Sequence, residues 1–120
     1  MFGQKLILIV EDEPLVAMAL IDQIERLDGR VAGPTRTVAQ ALAMLERQEI
    51  AAAILDANLA DRDVTPVGLV LAERGVPFLI HSAVGIPAEL ARAFPSIRVI
   101  RKPAGPDVVA AHLLKTMTGD

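Results

Sequence analysis

The sequence predicts an α/β fold, a doubly wound five-stranded parallel sheet with helices on both faces. Two observations carry this. Five short apolar runs alternate with segments of helical periodicity, the β-α repeat of such a sheet. The first run is also continuous rather than alternating, as in a strand buried on both faces.

The elements follow in order. Lys5 to Val10 is the first strand, and Glu13-Pro14 opens the first helix with proline near its first position. Val16, Leu20, Ile24 and Leu27 recur at helical spacing, and Gly29 is the expected stop. Arg30 to Thr35 is the second strand. Thr37 and Gln40 have capping-box spacing for the second helix, whose apolar side holds Ala41, Leu42 and Leu45. Ala51 to Leu55 is the third strand and ends at Asp56. After the polar loop Asn58 to Asp63, a helix runs from about Thr65-Pro66 to Arg74, with Gly75 as its stop. Val76 to His81 is the fourth strand, Pro87 to Phe94 a short helix, and Ile97 to Arg101 the fifth strand. The last helix begins near Pro106 and carries Val109, Leu113 and Met117 on one face. Spacing alone does not separate the two common strand orders of such sheets.

Composition narrows the function. The chain has 120 residues, room for one compact domain, and 52% of them are hydrophobic, enough for a core. No apolar run approaches the ~20 residues of a membrane helix, and the N-terminus lacks a signal-peptide pattern. A cytoplasmic protein is expected. The absence of cysteine excludes disulfides, thiolate metal sites and thiol catalysis. A net charge of −3 without a basic block argues against nucleic acid as a partner. With no Trp or Tyr, stacking platforms for bases are not expected either.

Parallel sheets of this kind bind ligands at the carboxyl ends of their strands. Here those ends carry Glu11-Asp12, Asp56, His81-Ser82 and Arg101-Lys102-Pro103. Three carboxylates, a hydroxyl and an ammonium thus converge on one edge. Close carboxylates repel, and an oxygen-rich set suits Mg²⁺. A metal held by Glu11, Asp12, Asp56 and the backbone carbonyl of Asn58 leaves Asp56 ionised and able to attack a phosphoryl group. Lys102 then neutralises the transferring oxygens, and the Ser82 hydroxyl donates a hydrogen bond to one of them. His81 and His112 have no nucleophile to pair with and stay outside the site. Asp61 and Asp63 read as exposed turn residues.

Val10-Glu11-Asp12-Glu13, Ile54-Leu55-Asp56-Ala57-Asn58-Leu59, Ser82-Ala83 and Lys102-Pro103 resemble the receiver domain of two-component response regulators. The resemblance spans the whole chain. It implies a flavodoxin-like fold with strand order 2-1-3-4-5, and a receiver over residues 1–120 without an output domain. It implies Asp56 as phosphoacceptor, Glu11 and Asp12 as the acidic pair, Ser82 as switch hydroxyl and Lys102 as phosphate-sensing lysine. Pro103 is the cis-proline candidate. The implied partners are a sensor histidine kinase or a histidine phosphotransfer protein, and a downstream protein on the face of the fourth helix, fifth strand and fifth helix. The domain would catalyse only its own phosphorylation and dephosphorylation, and signal by protein contact or as a phosphate sink.

Val31-Ala32-Gly33-Pro34 and Arg74-Gly75-Val76-Pro77-Phe78 resemble a single-domain alphaproteobacterial subgroup more closely. That subgroup carries a Phe-Ala-Thr-Gly-Tyr-like segment where this chain has Ile80-His81-Ser82-Ala83-Val84. Serine keeps the hydroxyl, alanine replaces glycine, and valine replaces the aromatic residue. The aromatic residue often found three positions before the lysine is Val99 here.

Overall fold

The computed structural model describes residues 1–119. Its elements alternate along the chain: β1 (Leu6–Val10), α1 (Pro14–Arg26), β2 (Arg30–Thr35), α2 (Val38–Arg47), β3 (Ala52–Leu55), α3 (Thr65–Glu73), β4 (Phe78–Ser82), α4 (Ala88–Ala93), β5 (Arg98–Arg101) and α5 (Pro106–Thr118). The strands form one parallel sheet of order β2-β1-β3-β4-β5, which resolves the choice that spacing left open.

Alternation of side chains along buried strands splits the core into two layers. Leu8, Val10, Ala53, Leu55, Phe78 and Ile80 pack toward α2, α3 and α4. Ile7, Ile9, Ala52, Ile54 and Leu79 pack with Leu20 and Ile24 of α1 and Val109 and Leu113 of α5. Among the described residues no helix is long and apolar enough to cross a membrane.

Several expected boundaries shift for local reasons. β4 starts at Phe78 rather than Val76 because the Val76 N–H is spent on the Leu71 carbonyl, closing α3. Ser82 in turn lies inside that strand. β5 starts at Arg98 because the Ile97 N–H closes a turn on Phe94. In α1, Gly29 is not the left-handed stop. Asp28 takes the positive φ, at 65°. Gly29 is required by space instead, since a Cβ there would lie 2.6 Å from Ile24 Cγ2.

β2 carries an irregularity that matters for the site. Its register with β1 shifts between Leu8 and Val10. Gly33 sits at that shift with φ +110°, beside a cis Gly33–Pro34 bond. A Cβ on Gly33 would lie 2.7 Å from Thr35 N and 2.9 Å from Ile9 O. Beyond the bulge the Thr35 carbonyl accepts the Glu11 N–H at 2.9 Å, so the bulge sets where β1 hands over to the acidic segment. Gly33→Ala is expected to cost about 1–3 kcal/mol of stability. Chemical denaturation should show a lower midpoint with an unchanged slope.

Candidate functional site at the carboxyl edge of the sheet

Asp56 follows β3, the central strand, and its N–H is fixed by the Val10 carbonyl at 2.8 Å. Glu11 follows the neighbouring β1 and is 2% exposed. Lys102 follows β5, where its own N–H bonds the Ser82 carbonyl at 3.0 Å and its peptide bond to Pro103 is cis. These backbone anchors aim three long side chains at one point. The Lys102 ammonium lies 2.9 Å from Glu11 Oε1, 3.0 Å from Glu13 Oε1 and 3.2 Å from Asp56 Oδ2. Asp12 completes the cluster. Ligand-capable oxygens of Glu11, Asp12, Glu13 and Asp56 all lie within 4.8 Å of one another.

Charge is unbalanced here, with four carboxyl groups around one ammonium. Burial pushes the Glu11 carboxyl up, the Lys102 hydrogen bond opposes this, and the nearby Asp56 adds to it; its pKa reaches about 7. Burial disfavours the Lys102 charge, but its bonds to Glu11 and Glu13 and the charges of Glu11 and Asp56 outweigh that, and its pKa lies above the usual lysine value. The donor set is all oxygen, and a cation would relieve its repulsion. Both features fit a hard divalent metal such as Mg²⁺.

Ser82 is buried, and its Oγ accepts the Val84 N–H at 3.1 Å, leaving the hydroxyl proton to give elsewhere. Asn58 is exposed two residues beyond Asp56 and forms an antiparallel bridge with Asp63.

Three residues play parts that the sequence reading did not assign. In the sequence Glu13 only opens the first helix with Pro14. It stands at the N-cap of α1 but makes no side-chain cap bond, and its carboxylate turns to Lys102 instead. The hint was Pro14, which puts a long glutamate where short side chains cap well. Asp61 is exposed but is more than a turn residue. Its carboxylate accepts the Val38 and Ala39 N–H groups at 2.9 and 3.1 Å, capping α2 from 23 and 22 residues away. Those bonds, Val38 first, hold its pKa below the usual aspartate value. No local pattern announces such a long-range cap. Asp63 caps the start of α3 through the Thr65 N–H at 2.9 Å.

His81 is buried, and neither ring nitrogen has a hydrogen-bond partner among the described residues. Burial, then the Lys102 charge, lowers its pKa, which favours the neutral ring. It lines an apolar slot of about 230 Å³ with Leu15, Leu20, Ala104 and Pro106.

No protein-family model matches the chain, and no curated protein matches it. Solved structures do. The solution structure of SdrG from Sphingomonas melonis Fr1 is 39% identical, covers 98% of this chain and 99% of its own, and superposes with a TM-score of 0.81. The BeF3-activated conformation of SdrG from Pseudomonas melonis Fr1 is 42% identical over 98% of this chain and 99% of its own, with a TM-score of 0.72. The response regulator PhyR from Brucella abortus is 28% identical over 96% of this chain, with a TM-score of 0.79, but only 48% of its own length is covered.

The raised Glu11 pKa makes a pH prediction. An acid whose folded-state pKa is raised stabilises the fold in its protonated form. That contribution is complete below the ordinary value of 4.5 and is lost as pH rises through about 7. Metal-free protein is expected to lose stability from about pH 5 to about pH 8, and Glu11→Gln to flatten that slope. Denaturant midpoints across this range check it.

Proposed function

The chain belongs to the receiver domains of response regulators, and on that premise we propose that Asp56 accepts a phosphoryl group from a histidine kinase or a histidine phosphotransfer protein in a Mg²⁺-dependent reaction. The observation that carries this is the Asp56 carboxylate at the end of the central strand, 3.2 Å from the Lys102 ammonium and clustered with Glu11 and Asp12.

In the transfer, an Asp56 carboxylate oxygen bonds to phosphorus as the bond from phosphorus to the donor imidazole nitrogen breaks. The electron pair stays on that nitrogen. The product is an acyl phosphate. Lys102 neutralises charge on the phosphoryl oxygens, and Ser82 donates its hydroxyl proton to one of them as a hydrogen bond. Glu11, Asp12, Asp56 and the Asn58 carbonyl would hold Mg²⁺, which supplies charge neutralisation to carboxylates and phosphoryl oxygens alike.

The phosphoryl group adds about −1.5 to −2 charges at the site. Ser82 and Lys102 are the groups that feel it. The Ser82–Val84 hydrogen bond links the site to the loop before α4, where Val84 is 67% exposed. Signal passes to a downstream protein over α4, β5 and α5, or phosphate is drained from a shared kinase. The domain serves signalling, its chemistry confined to its own acyl phosphate, and a cytoplasmic setting goes with this reading. SdrG takes a BeF3-activated conformation, and we extend that response to this chain.

Intact mass after incubation with acetyl phosphate tests the chemistry. One phosphoryl adduct is expected on the native chain with Mg²⁺, and none without the metal or in Asp56→Asn. Lys102→Met is expected to slow adduct formation by at least about tenfold. Absence of an adduct on the native chain, under conditions that modify another receiver, would instead favour a binding module that is never phosphorylated.

A further inference from the structure

Lys102 presents three N–H donors, and three carboxylates accept them: Glu11, Glu13 and Asp56, at 2.9, 3.0 and 3.2 Å. The ammonium is saturated before any phosphoryl group arrives. A phosphoryl oxygen on Asp56 can be bound by Lys102 only if one of these bonds is given up.

The three partners are not equivalent. Asp56 carries the incoming group and stays beside the lysine. The Glu11 side chain is 2% exposed, so water cannot replace the bond it would lose to Lys102. The Glu13 side chain is 61% exposed, and water takes over its solvation at little cost. Glu13 also has no cap bond to keep it in place. The exit of Glu13 opens an N–H on the solvent side of the ammonium, where an oxygen arriving from outside can reach it.

We infer that Glu13 is an exchangeable counter-ion of Lys102, which holds the ammonium over Asp56 in the unphosphorylated protein and gives way to a phosphoryl oxygen on phosphorylation. Glu13 is a positioning residue, since it acts through Lys102. It sets a threshold as well, because an anionic donor has to compete with a tethered carboxylate for the same N–H. This rests on Asp56 being the phosphoacceptor.

The test compares native chain and Glu13→Gln in two measurements. The first is the second-order rate constant for phosphorylation by acetyl phosphate at saturating Mg²⁺, followed by intact mass. Removing the competitor is expected to raise it about two- to fivefold, the range an exposed ion pair allows. The second is the titration of the Lys102 ammonium by NMR on lysine-labelled, unmodified protein, simplified by the presence of only three lysines, Lys5, Lys102 and Lys115. In Glu13→Gln the Lys102 midpoint is expected to fall toward the ordinary lysine value. An unchanged rate with an unchanged Lys102 titration would overturn the inference. So would a slower rate accompanied by weaker Mg²⁺ binding, which would make Glu13 a metal ligand. No adduct on the native chain would sink the phosphoacceptor reading itself and the exchange with it; a native adduct with no effect of Glu13→Gln sinks the exchange alone.

Discussion

One ammonium among four carboxyl groups is the constraint around which the carboxyl edge of this sheet is arranged. Lys102 binds three of them directly, and two of those, Glu11 and Asp56, are buried. Such a cluster is poorly balanced by itself. Burial first, and then the nearby Asp56, raise the Glu11 pKa against the pull of Lys102. Buried charges are tolerated when they are paired and held by many bonds, and costly when they are not. A cluster of this charge gains by receiving a cation.

The fold supplies the geometry without help from the site residues themselves. Five parallel strands bring every carboxyl end to the same edge, and the two apolar layers hold those ends in register. Small departures from regularity then do the aiming. The bulge at Gly33 carries the Thr35 carbonyl to the Glu11 N–H, and the Ser82 carbonyl fixes the Lys102 N–H. Asp61 ties the loop after β3 to the start of α2, so the segment that follows Asp56 is braced by a neighbouring helix of the same layer.

The parts of this arrangement readable in sequence are those that depend on position along a strand. Asp56 after Ala53-Ile54-Leu55, Glu11-Asp12 after the first apolar run and Lys102 after the fifth are placed by topology alone. The strand order needed a resemblance to a known family, because spacing is the same in either order. The parts that escaped depend on where long side chains turn. Glu13 stays outside the site in the sequence, since nothing local says that a glutamate before Pro14 reaches a lysine 89 positions away. Asp61 was read as a turn residue because its partners lie 23 and 22 positions back. His81 is buried with both ring nitrogens lacking partners among the described residues, which periodicity does not reveal. The capping box at Thr37 was half legible. Thr37 accepts the Gln40 N–H, while the Gln40 side chain reaches one residue further than the pattern specifies, to the Arg36 N–H.

Residue-level localisation of the phosphoryl group tests the account most directly. An acyl phosphate on aspartate is reduced by borohydride to homoserine, whereas phosphate on serine or histidine is not. Protein treated with acetyl phosphate and Mg²⁺, then reduced and mapped as peptides, is predicted to carry homoserine at position 56 and aspartate at positions 12, 61 and 63. Homoserine elsewhere, or a borohydride-resistant phosphate on Ser82 or His81, would contradict the claim that the Lys102 cluster is built around Asp56 as acceptor.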